Sequence, residues 1–149
     1  MTLSPLAPDD IGEVMRLERR PGYEAFVGRW TAEAHAAEMA SPRARYFGLR
    51  QDGGLAGFVI LQELDLPTVL LRRIAVDTAE RGVGGRLLGA ISDWVFGETH
   101  AQALRLEVAH GNDRAHHVYV RAGYEDDGQD DVHVFMRLPR ERWAGGRRR

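Results

Sequence analysis

Apolar positions along the chain recur with two periods, and the switches between them mark out the elements. Thr2 to Leu6 reads as a short edge strand. Ile11, Val14, Met15 and Glu18 then fall at helical spacing behind Pro8, Asp9 and Asp10, the proline and acids of a helix start, so a first helix is expected from about Pro8 to Arg20. Pro21-Gly22 breaks it, and the aromatic-rich stretch Tyr23 to Trp30 shows no clear period. Thr31 caps a second helix that ends at Ser41-Pro42. Arg45 to Arg50 and Leu55 to Leu64 read as hairpin arms about Asp52-Gly53-Gly54, and Val69 to Val76 as a buried strand. Leu87, Leu88, Ile91, Trp94 and Val95 share one helix face, and Gly97 is expected to end that helix. Ala103 to Ala109 alternates, with Leu104, Leu106 and Val108 on one side and Arg105 and Glu107 on the other. A last helix starts at Asn112 and Asp113, carries Ala115, Val118, Tyr119 and Ala122 on one stripe, and stops at Gly123. Tyr124 opens a strand reaching about Gly128, and Val132 to Leu138 forms the final one.

This order predicts an α/β (α+β) fold: a mixed sheet with helices on both faces. A right-handed crossover makes the buried strand Val69–Val76 parallel to Ala103–Ala109. Without repeats or a linker, the 149 residues form one domain over 1–140, large enough to bury roughly 70% of the surface of the unfolded chain. Residues 141–149, with their closing arginines, read as a basic, flexible tail.

A net charge of −2 argues against general nucleic-acid binding. The absence of cysteine removes disulfides, thiolate metal sites and a cysteine nucleophile, and suits the cytoplasm. The first residues lack the basic and apolar pattern of a secretory signal, and no apolar stretch is long enough for a membrane span. His116 and His117 point in different directions from one helix, so no metal site is expected there.

The chemistry concentrates at Arg81-Gly82-Val83-Gly84-Gly85-Arg86, between the buried strand and a helix start. Glycines let the backbone approach a ligand closely, and the N–H groups of a helix's first turn favour phosphate. Leu87 stands where a dinucleotide fingerprint needs its third glycine, and no Gly-Lys-Ser/Thr follows. The pattern resembles the acetyl-CoA-binding motif Q/R-x-x-G-x-G/A of the GNAT superfamily of N-acetyltransferases, with Arg81 and Gly84 in place and Arg86 at the last position. A second stretch resembles that superfamily's N-x-x-A-x-x-L-Y-x-x-x-G-F: Asn112, Ala115, Tyr119 and Gly123 match, with Val118 for Leu and Tyr124 for Phe. The resemblance runs from about Leu55 to Leu138 and implies a GNAT-like acyl-CoA N-acyltransferase fold with a mostly antiparallel sheet. It also implies acetyl-CoA as acyl donor and an amine, small or at a peptide N-terminus, as acceptor, with a homodimer common in the family.

Acetyl transfer to an amine sets three demands. An alkyl amine of pKa about 10.4 must lose a proton, the thioester oxygen must be stabilised as charge builds on it, and the departing thiolate of pKa about 8.5 must gain a proton. The resemblance implies that the backbone of Ile74, Ala75 and Val76 pairs with the pantetheine arm, with the Val76 N–H at the thioester oxygen. It places the amides of Gly82, Val83, Gly84, Gly85 and Arg86 on the pyrophosphate, with Arg81 and Arg86 adding charge. Asn112 contacts the pantetheine side or caps its helix, and Tyr119 protonates the thiolate. Leu106-Glu107-Val108 followed by Asn112 is similar to ribosomal-protein N-terminal acetyltransferases, which makes Glu107 the base; His110 and water are the alternatives. Tyr23, Phe26, Trp30, Arg72, Arg73 and His133 are candidate acceptor-side residues. Arg72 and Arg73 are expected on alternate faces, where one suits an acceptor carboxylate and a surface ion pair accounts for them equally. The turn at Gly128–Asp131 is short, which implies an open acceptor groove. The competing readings are a silent acyl-CoA sensor and nucleic-acid binding through the arginine tail.

Overall fold

The computed structural model describes residues 2–20, 30–77 and 82–146. Seven strands form one sheet: β1 (Thr2–Pro5), β2 (Arg45–Gln51), β3 (Gly54–Gln62), β4 (Thr68–Val76), β5 (Ala103–Ala109), β6 (Glu125–Gln129) and β7 (His133–Pro139), in the order β1-β2-β3-β4-β5-β7-β6. Every neighbouring pair is antiparallel except β4 and β5. The predicted crossover is there: β4, then α3 (Val83–Glu98), then β5.

The remaining helices are α1 (Ile11–Glu18), entered through a 3-10 turn at Pro8–Asp10, α2 (Ala32–Met39), α4 (Asp113–Arg121) and α5 (Arg140–Gly146). Thr31 caps α2 as expected, its hydroxyl accepting from the Ala34 N–H at 3.1 Å. Gly97 does not end α3. The helix runs on to Glu98, where the Thr99 N–H and hydroxyl both donate to the Val95 carbonyl. The β2–β3 hairpin turns through Asp52 and Gly53, both at positive φ, which glycine adopts without strain. Part of the expected basic end, 141–146, lies in α5, and Trp143 packs on Phe96 and donates to Asp93 at 2.8 Å, while Arg147 to Arg149 lie outside the described residues.

Two cores flank the sheet. On one face, α3 and α4 pack Leu87, Leu88, Ile91 and Tyr119 against Val59, Leu71, Leu104 and Leu106. On the other, α1 packs Val14 and Leu17 against Tyr46, Phe58, Ile60 and Ala75. No helix among the described residues is long and apolar enough to cross a membrane.

One irregularity sets up everything downstream. The β3–β4 register shifts so that Leu61 pairs with Leu71 and Ile60 with Arg73. Arg72 is the extra residue of a β-bulge, and a bulge reverses the phase of the strand beyond it. Val69 and Leu71 therefore join the α3-side core, while Ala75 joins the α1-side core.

Candidate active site

The two central strands part company halfway along. The parallel ladder registers only Thr68 with Ala103, Val69 with Leu104 and Leu70 with Arg105. Beyond it, β4 stays paired with β3 as far as Val76, and β5 stays paired with β7 as far as Ala109. The sheet thus opens between the carboxyl-terminal halves of β4 and β5, and ligands of α/β sheets bind at such ends.

The N-terminus of α3 stands at this opening. Gly82 is its cap at φ 76°, a left-handed conformation that glycine adopts freely, and its carbonyl accepts from the Arg86 N–H at 3.1 Å. The first turn has no acidic side chain. A Cβ built at Gly82, Gly84 or Gly85 meets nothing within 4 Å, so open space borders these peptides. Donor-rich amides, a dipole of the right sign and an unobstructed approach fit a diphosphate. Val83 is the exception in the turn: it is buried and roots the helix in the core.

Tyr119 and Glu107 face opposite ways. Tyr119 is buried on the inner stripe of α4 with its ring edge-on to Tyr124 at 6.0 Å, in the same core as Leu106 and Val108. Glu107 lies between those two leucine and valine positions on β5 and is exposed on the other face of the sheet. Its carboxylate is 3.7 Å from Arg105 Nη1 and 3.7 Å from His133 Nδ1, contacts too long to immobilise it. Asn112 acts as a cap, its Oδ1 accepting from the Ala115 N–H at 3.3 Å. His110 donates from Nε2 to the Asp130 carbonyl at 2.7 Å, which ties that ring to the β6–β7 turn. Asp130 braces the turn by accepting from the Val132 and His133 N–H groups, and these hold its carboxyl below the usual carboxylate range.

The profile of the Acetyltransferase (GNAT) family matches residues 12–124. The chain belongs to this family. A curated relative, the "Uncharacterized N-acetyltransferase YhfO" of Bacillus subtilis (strain 168), is 39% identical over 59 residues, a match spanning 40% of this chain and 38% of that protein. Among solved structures, the ribosomal-protein-S18-alanine N-acetyltransferase of Escherichia coli superposes with a TM-score of 0.78 at 27% identity, covering 93% of this chain and 92% of that one. The spermidine N-acetyltransferase of Vibrio cholerae, in complex with CoA and spermine, shares the fold with a TM-score of 0.81 at 18% identity over 96% of this chain and 97% of that one. Ile74, Ala75 and Val76 lie on the β4 rim of the opening and Glu107 on the β5 rim.

Of the other expected site residues, Arg81, Tyr23 and Phe26 lie outside the described residues. Arg86 is exposed in the first turn of α3. Arg72 and Arg73 depart from expectation. They do not take alternate faces: both guanidinium groups come against the Trp30 ring, at 5.7 and 4.6 Å from its centroid. Nor is Arg73 in a surface pair. It donates to Glu18, which is fully buried and also 2.9 Å from His35 Nε2. His35 Nδ1 lies 2.6 Å from the Tyr46 hydroxyl. Arg73 already matches the charge of Glu18. His35 bridges the set, with Nε2 at the Glu18 carboxylate and Nδ1 at the Tyr46 hydroxyl. Burial, with the charges of Glu38 and Glu18 nearby, pushes the Tyr46 hydroxyl up, so the phenol keeps its proton.

Sequence reasoning missed this network, although a signal was present. Glu18 falls on the apolar stripe of the first helix, and Arg73 sits in an apolar strand run. A charge in each such place calls for a partner.

Proposed function

We propose that the protein is an N-acetyltransferase that moves the acetyl group of acetyl-CoA to a primary amine by direct attack. The observation that carries this reading is the opening between β4 and β5, with the amides of α3 at its mouth and with Glu107 and Tyr119 on opposite faces of β5.

Bound acetyl-CoA supplies an activated acyl group as a thioester. The residues of the chain supply the rest. The amides from Gly82 to Arg86 hold the diphosphate, with Arg81 and Arg86 adding charge. The backbone of Ile74, Ala75 and Val76 takes the pantetheine arm, and the Val76 N–H meets the thioester oxygen, where negative charge builds. Asn112 keeps α4 in place by capping it. Glu107 takes a proton from the acceptor ammonium, directly or through water, and so frees the nitrogen lone pair. As the N–C bond forms and the C–S bond breaks, the sulfur takes the phenolic proton of Tyr119; the nitrogen gives up its second proton to Glu107, whose first has passed to water, and Tyr119 recovers a proton from solvent. The amine thus approaches from the open face and the thiol leaves toward the α4 side, so the two do not compete for space.

The acceptor is a small amine or the amine of a peptide N-terminus. The Escherichia coli neighbour, named for an alanine of a ribosomal protein, supports the peptide, and the exposed setting of Glu107 beside a short β6–β7 turn accommodates either. The test is a panel of primary amines and short peptides incubated with acetyl-CoA, with thiol release and N-acetyl product read together. Product formation on at least one amine is expected. CoA binding without product on any amine would favour a sensor.

A further inference from the structure

The bulge at Arg72 makes two adjacent arginines into different tools. Arg73 is drawn inward, and its charge is cancelled by buried Glu18, which the His35–Tyr46 pair holds in turn. This link pins β4 to α1 just beyond the bulge, so the extra residue stays at position 72 and its side chain is thrown outward. Bulges beside active sites re-aim side chains in this way. Arg72 is exposed, and among the described residues no carboxylate comes within ion-pair distance of it. Its guanidinium rests instead at the Trp30 ring, within cation–π range.

Position gives that free guanidinium a use. The parallel ladder ends at Leu70 and Arg105. Counted on along the two strands, Arg72 stands level with Glu107 across the opening. Trp30 packs with the α1-side core, and Glu107 emerges on the sheet face opposite α3 and α4, so both rims present their groups on the same side. One rim offers a base and the other an arginine fork able to grip a carboxylate in bidentate fashion.

We infer that Arg72 selects acceptors whose reacting amine lies near a carboxylate, the amine facing Glu107 and the carboxylate bound at Arg72. This rests on the acetyl-transfer reading above and adds the acceptor's chemical class. The carboxylate belongs to a free amino acid or to the acidic first residue of a peptide.

The experiment compares kcat/KM for matched acceptors differing only in charge: amino acids against their amides, and peptides beginning with Asp or Glu against the same peptides beginning with Asn or Gln. In the wild-type protein the carboxylate member of at least one series is expected to be favoured about tenfold or more, and which series shows it identifies the source. Arg72→Gln should close that gap through KM, while Arg72→Lys, which keeps the charge but loses the fork, should restore it in part. Equal turnover of both members in both series, or a preference that survives in Arg72→Gln, would overturn the assignment and leave acetyl transfer standing. No turnover on any amine would remove the acetyl-transfer reading and this one with it.

Discussion

The sheet carries the same three kinds of side chain on either side of its opening, and treats them in opposite ways. Toward the α1 side, Glu18, Arg73 and His35 are all buried and joined by hydrogen bonds. On the β5–β7 face, Glu107, Arg105 and His133 are half-exposed and separated by 3.7 Å gaps. The first set is sealed by Trp30 and by the α1 core, so each group needs the others. The second set has water as an alternative partner. A carboxylate that must exchange protons with an incoming amine belongs in the second setting. One that must hold two elements in register belongs in the first.

The largest difference should appear on breaking each pair. Removing one partner of a buried ion pair leaves a charge without compensation, at a cost of about 3–5 kcal/mol. Arg73→Met and Glu18→Leu should each lose stability on that scale in urea denaturation. The double variant should recover much of it, because the desolvation cost disappears with both charges. Glu107→Gln should stay within about 0.5 kcal/mol of the wild type. Comparable losses on both sides would erase the distinction.

A smaller effect is expected one step along each network. Tyr46→Phe deprives the buried Nδ1 of His35 of its hydrogen-bond partner and should cost about 1–3 kcal/mol. The corresponding change on the open face, His133→Gln, should be nearly silent in the same denaturation assay.

The contrast reflects what a sequence can display. The glycine loop, the Asn112–Gly123 stretch and the alternation of Ala103–Ala109 are local patterns, and each became the element or turn it suggested. The position of Glu107 on the outer face follows from that alternation. Alternation alone puts Arg72 and Arg73 on opposite faces; the bulge that brings both to Trp30 is a property of two paired strands, and one strand's sequence does not register it. The link between Glu18 and Arg73 spans 55 positions, and nothing local to either residue names the other. Glycine is costly inside a helix, which makes Gly97 an expected helix end. Packing of Val95 and Phe96 in the core, with the Thr99 bonds to the Val95 carbonyl, carries the helix past it.

The smallest expected effect concerns acid. Hydrogen bonds from the His133 and Val132 N–H groups hold Asp130 below its ordinary value. The folded form therefore binds that proton less readily than the unfolded chain. Its contribution to stability is present above the ordinary aspartate range and is lost as pH falls through the lowered value. A carboxylate titration followed by NMR should find Asp130 among the last to protonate. An ordinary midpoint would mean that the β6–β7 turn is looser than its hydrogen bonds indicate.

Acetyl transfer through Tyr119 and Glu107 is decided by thiol release from acetyl-CoA, with an accepted amine, for Tyr119→Phe and Glu107→Gln beside a separate measurement of CoA affinity. The expected result is a fall in kcat of about a hundredfold or more in each variant while CoA binding holds. Wild-type kcat in Tyr119→Phe, or loss of CoA binding that accounts for the whole defect, would contradict it.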